Sequence, residues 1–112
     1  MKKILSIVET HFDDRRFSVE QLCRKAGISH PQLHRKLKAE TGKSAVQLIR
    51  SVRLHHGKRL LRQTELQIAD IAYDIGFSDP DYFSKVFRKE VGCTPSQYRA
   101  RQKELKATPG KV

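Results

Sequence analysis

The chain has 112 residues, 38% of them hydrophobic, which is enough for one compact domain or two very small ones. A formal net charge of +11 is a strong positive field for that length and implies a polyanionic partner, nucleic acid before an anionic membrane surface. No apolar run approaches the roughly 18–20 residues of a membrane span, and Cys23 and Cys93 form no disulfide framework, so the composition reads as a cytoplasmic protein with reduced thiols.

In chain order, the opening MKKILSIVETHF is basic and then apolar, like a signal peptide. Glu9 and His11 interrupt it and no small-residue cleavage site follows, so it predicts an amphipathic helix near 2–12. SVEQ at Ser18–Gln21 is a capping box, with Phe17 and Leu22 at hydrophobic-staple spacing, and opens a helix near 18–26. SHPQ at Ser29–Gln32, flanked by Ile28 and Leu33, repeats the scheme for a helix near 30–40. SAVQ at Ser44 starts a long helix near 44–62. Gln67 is a weaker cap for a helix near 67–75, although Leu66 and Ile71 keep the staple spacing. A sixth helix spans about 80–91, and TPSQ at Thr94 starts the last, near 95–104, with Pro95 at a first helical position that needs no N–H. No segment alternates as a strand does, and KATPGKV reads as a frayed tail. The expected fold class is all-α, with about seven helices.

The chain writes one unit twice. Gly27 and Gly76 lie 49 positions apart, and at that offset Leu22 matches Ile71, Cys23 matches Ala72, Ala26 matches Ile75 and Ile28 matches Phe77. Past the turn the offset is 50: Leu33 matches Phe83, Leu37 matches Phe87, Gly42 matches Gly92 and Leu48 matches Tyr98. A short capped helix, a Gly turn and a second helix make a helix-turn-helix. The expected divisions are a first helix-turn-helix subdomain at 1–43, a central linker helix at 44–62, a second subdomain at 63–104 and a flexible tail at 105–112.

The second helix of each unit is the expected reader. At about 100° per residue, Leu33 and Leu37 face inward while Pro31, Gln32, His34, Arg35 and Lys38 fall away. In the second copy Phe83 and Phe87 face inward, and Asp81, Tyr82, Ser84, Lys85 and Arg88 fall outward. Cationic, amide, hydroxyl and imidazole groups on one exposed face suit base edges and phosphates. Phosphate contacts are expected from Lys36, Lys38, Lys43, Ser44, Arg88, Lys89, Thr94 and Arg101.

The stretch RLHHGKRLLRQTELQIADIAYDIGFSDPDYFSKVFRKEVGCTPSQYR, Arg53–Arg99, resembles the DNA-binding domain of the AraC/XylS family of bacterial transcription regulators. VEQLCRKAGISHPQLHRKLKAETGKS resembles its first half, and LHRKLKAETGKS and GFSDPDYFSKVF also resemble the output domains of hybrid two-component regulators. The resemblance implies two helix-turn-helix subdomains joined by a central helix, each offering a helix to the major groove. Its base-facing positions fall on Pro31, His34 and Arg35, and on Pro80, Asp81 and Lys85. Pro31 has only an apolar contact to give, for instance to a thymine methyl. Asp81 has two roles open to it, accepting from cytosine N4 or serving its own helix N-terminus. Gly57 stands where the family more often has Ala, at a helix-propensity cost of about 1 kcal/mol. The family also implies RNA polymerase as a partner and a separate sensing or signalling domain, which nothing in these residues resembles.

Other chemistry is weakly supported. His30 and His34 have metal-ligand spacing but no third ligand nearby, so no metal or other cofactor is expected. There is no GxSxG, HExxH, P-loop or dinucleotide fingerprint, so an enzyme is not expected. An RNA-binding helical module and a basic protein-interaction adaptor remain as alternatives. Phe77, Phe83 and Phe87 sit at core spacing rather than as a stacking platform, which counts against RNA. The central helix, about 19 residues or roughly 28 Å long, is shorter than the ~34 Å between successive major grooves on one face of B-DNA. The expectation is that one monomer covers two neighbouring groove segments, with the first unit supplying most of the specificity.

Overall fold

The computed structural model describes residues 2–107, with side chains as far as Leu105. Over that span the chain forms seven helices: α1 (Lys2–His11), α2 (Val19–Ala26), α3 (His30–Thr41), α4 (Ala45–Gln63), α5 (Ile68–Asp74), α6 (Pro80–Val91) and α7 (Pro95–Ala107). No strand occurs among the described residues. The α7 helix continues through Ala107, into the stretch expected as a tail; residues 108–112 lie outside the described span. Two compact units divide within α4, one ending at Arg53 and the other starting at Leu54. The helix expected as a linker therefore contributes to both units.

In the first unit, Ile4 and Val8 of α1, Leu22 and Cys23 of α2, Leu33 and Leu37 of α3, and Ala45, Leu48, Ile49 and Val52 of α4 share one core with Phe17. The starts of α2, α3 and α4 are fixed by capping side chains. Ser18 Oγ accepts from Gln21 N–H, one half of the expected box, and both staple residues, Phe17 and Leu22, are buried. Ser29 and Gln32 make both halves. Ser44 and Gln47 do the same for α4, at 3.2 and 2.9 Å. The turn between α2 and α3 needs a left-handed residue, and Gly27 has φ 70°. Its N–H donates to Arg24 O at 3.3 Å and Ile28 N–H donates to Cys23 O at 3.2 Å, a Schellman ending that aims the chain into α3. Arg53 closes the unit: Nε donates to Phe12 O at 2.8 Å and Nη2 to Asp14 O at 3.1 Å. Burial lowers the pKa of this guanidinium, and the charge of Asp14 acts in the opposite direction.

The second unit repeats the plan with larger side chains. Gly76, φ 99°, donates to Tyr73 O and Phe77 N–H donates to Ala72 O, the same ending as at Gly27. Phe77, Phe83, Phe87 and Tyr98 form a chain of ring contacts at 5.2–5.7 Å. Gly57 explains how they fit. A Cβ there would meet Ile75 Cδ1 at 3.0 Å and the Phe83 ring at 3.5 Å. At the 49-residue offset Gly57 falls on Val8 and Ile75 on Ala26, so small and large residues have exchanged places between the copies. The propensity cost expected for Gly57 is thus set against close packing.

The start of α5 differs from the staple expected there. Gln67 makes no side-chain cap bond, and Leu66 is 39% exposed. The preceding chain is held by Arg99, whose Nε and Nη2 donate to Leu61 O at 3.1 Å and Thr64 O at 3.2 Å. Thr64 Oγ1 in turn accepts from Leu66 N–H at 3.3 Å.

Candidate nucleic-acid interface

Each unit presents the helix after its Gly turn. On α3 the inward stripe is Leu33 and Leu37, and Pro31, Gln32, His34, Arg35, Lys36 and Lys38 are exposed. Arg35, His34 and Lys36 have no hydrogen-bond or ion-pair partner among the described residues, so their polar groups are free for a ligand. Gln32 is different: its Oε1 accepts from Ser29 N–H at 2.8 Å, which commits the oxygen to the cap and leaves the amide N–H groups. Lys38 Nζ reaches Gly42 O at 3.5 Å, beside the end of α3. Lys43 Nζ donates to Ser51 Oγ at 3.1 Å and lies against α4. Ser44 is half-buried, its hydroxyl accepting from Gln47 N–H.

On α6, Asp81, Lys85, Arg88 and Lys89 are exposed, and Pro80 and Ser84 are half-buried. The N-cap is Asp79, which periodicity and repeat matching overlooked; its Oδ1 accepts from Asp81 N–H at 2.9 Å. The extra residue of the second turn moves the cap to the position before Pro80, and an acid directly before a helix-starting proline was the available signal. Tyr82, freed from the capping role that Gln32 has on α3, is half exposed with its ring 6.0 Å from that of Phe77. Thr94 is half-buried and caps α7, its Oγ1 accepting from Gln97 N–H at 3.1 Å. Arg101 is exposed on α7.

Acid and base are distributed as a helix dipole favours, with Asp81 in the first turn of α6 and Arg88 and Lys89 in its last. The α3 helix has no acid in its first turn. His30 and His34 share a shallow apolar concavity with Val19, Leu33, Ser44, Ala45 and Val46. No three His, Cys, Asp or Glu side chains gather as a metal-binding group among the described residues. Cys23 and Cys93 are free and buried. No described helix is long and apolar enough to cross a membrane. The arrangement offers two separate sets of donors on capped helices, the chemistry of polyanion contact with base-edge discrimination.

Comparison with known proteins points the same way. A family model described as a helix-turn-helix domain matches residues 22–101. The chain is 36% identical over 104 residues, 93% of its length, to histidine kinase P4 of Formosa agariphila, of which it covers 8%. It is 36% identical over 91 residues, 81% of its length, to the HTH-type transcriptional activator RhaR of an Enterobacter species, covering 32% of that protein. The chain thus spans a third or less of these curated relatives. Among solved structures, a transcriptional regulator from Chromobacterium violaceum described as AraC-type DNA-binding superposes with a TM-score of 0.84 at 28% identity, over 90% of this chain and 89% of that one.

Proposed function

Because this chain belongs to the AraC/XylS family, as a helix-turn-helix domain for sequence-specific DNA binding in transcription regulation, we propose that α3 and α6 are its two reading helices, each entering a major groove. The observation that carries this is recurrence: twice, a short helix and a left-handed glycine lead into a capped helix with one buried stripe and an outward face of charged and polar groups. In this reading Pro31, His34 and Arg35 meet base edges from α3, with Gln32 donating through its amide nitrogen. Pro80, Asp81, Ser84 and Lys85 do so from α6. Lys36, Lys38, Lys43, Ser44, Arg88, Lys89, Thr94 and Arg101 hold the phosphates, and the lysines near helix ends set the register on the duplex.

The family is one of DNA-binding regulators rather than an enzyme class. The kind of relatives the chain matches supports two further partners in this reading: RNA polymerase, since RhaR is a transcriptional activator, and a sensing or signalling domain that sets when the DNA is bound. The setting is the cytoplasm, where the genome lies. The test is a competition by fluorescence anisotropy among a duplex selected from a random pool, a scrambled duplex and a structured RNA. The selected duplex should win at physiological salt by about 10³-fold or more over the scrambled one. Equal competition by RNA would favour an RNA module, and weak binding to all three would favour a protein adaptor.

A further inference from the structure

The α6 side chains that the fold leaves unused form an acceptor–donor couple. Because Asp79 is the cap, Asp81 is released from that role, and its carboxylate is exposed with no hydrogen-bond or ion-pair partner among the described residues. Lys85 follows at the i,i+4 spacing that ordinarily favours pairing. It too is exposed and without a partner. At the matching positions α3 has Pro31 and Arg35, with His34 between them in sequence, so no carboxylate stands among its readers.

We propose that Asp81 and Lys85 together make α6 selective for a C·G pair, with Asp81 accepting from the cytosine amino group and Lys85 donating to guanine O6 or N7. This rests on the DNA-reading role of α6 proposed above. Asp81 selects by rejection as much as by attraction. An ionised carboxylate only accepts, and in the major groove only cytosine N4 and adenine N6 donate. Thymine O4 and guanine O6 and N7 would face it with lone pairs. Adenine offers its donor beside its own N7 acceptor, which suits an amide better than a carboxylate. A·T also shows one donor and two acceptors, but its donor lies between them; only a C·G pair keeps the donor on one base and two adjacent acceptors on the other, matching a carboxylate and an ammonium one turn apart. A carboxylate desolvated against an acceptor loses its water and gains nothing, so Asp81 lowers affinity for wrong sequences more than it raises affinity for the right one. The two helices therefore select differently: α3 through donors, α6 through a donor and an acceptor.

The test is site selection from random duplexes with the whole chain and with Asp81→Asn and Asp81→Ala, folding being checked by far-UV circular dichroism and thermal melting. The wild-type pool should hold a C·G pair at one position of the block that Lys85→Ala erases. Changing it to T·A should weaken binding roughly tenfold or more. Asp81→Asn should move the preference there towards A·T, because an amide pairs with adenine N6 and N7, and Asp81→Ala should weaken the C·G preference to the part that Lys85 alone supplies, with the rest of the site unchanged. An identical motif from all three proteins, with affinity raised equally on every duplex, would show that Asp81 merely repels phosphate and overturn the inference alone. If the wild type enriches no sequence at all, the reading role of α6 fails with it.

Discussion

Arg35 and Lys43 are both exposed cations, but the fold holds them differently. The Arg35 guanidinium has no partner among the described residues and lies opposite the buried Leu33 and Leu37, where a fork of donors suits guanine O6 and N7. Replacing Arg35 with Ala should weaken specific binding by about 1–3 kcal/mol and relax preference at one or two adjacent base pairs, as measured on a panel of single-substituted duplexes. An equal loss on specific and nonspecific duplexes would make it a phosphate contact instead. Lys43 leans on Ser51, and in the proposed reading it holds a phosphate. Lys43→Ala should leave sequence preference alone and make the log–log salt slope shallower by about one unit. Which residues face outward was legible in the sequence, because a period of 3.6 with Leu33 and Leu37 as reference fixes the direction of every α3 side chain. Which of them are already engaged was not. Gln32 and Asp79 are claimed by cap bonds, and periodicity carries no information on that competition.

The helix ends carry most of the local design. Ser29, Ser44 and Thr94 each pair with a glutamine three residues on, so α3, α4 and α7 start where the sequence says they do. What the sequence does not show is what holds the loops before α2 and α5. There Arg53 and Arg99 reach back 35 to 41 residues to backbone carbonyls, contacts that no local spacing encodes. Arg99→Ala should therefore lower stability by about 1–3 kcal/mol in urea unfolding, since Leu61 O and Thr64 O each lose a charged donor. The loss should exceed that of the exposed Lys103→Ala, whose partner Glu65 is solvated. Gly57 is the position where propensity and packing oppose each other. Gly57→Val places two methyl groups toward Ile75 and Phe83 and should destabilise by about 1–3 kcal/mol, whereas a rise in melting temperature would mean that the aromatic core has room to move.

For the whole molecule, in the proposed reading, the net charge of +11 supplies affinity for any duplex, and the outward side chains of α3 and α6 supply the choice among duplexes. Affinity should fall steeply between low and physiological salt by counterion release, and a flat log–log plot would contradict DNA binding altogether. The duplication itself was readable, because the matched core positions and the two glycines are sequence facts. The weight of the second unit was harder to read: Asp81 looked open to capping its own helix until the fold assigned the cap to Asp79. Methylation-protection footprinting of guanine N7 on a selected duplex tests most directly whether both units read sequence. Two separate protected blocks are predicted, one erased by Arg35→Ala and the other by Lys85→Ala. A single protected block that Lys85→Ala leaves unchanged would contradict the account, showing that the first unit alone reads the DNA.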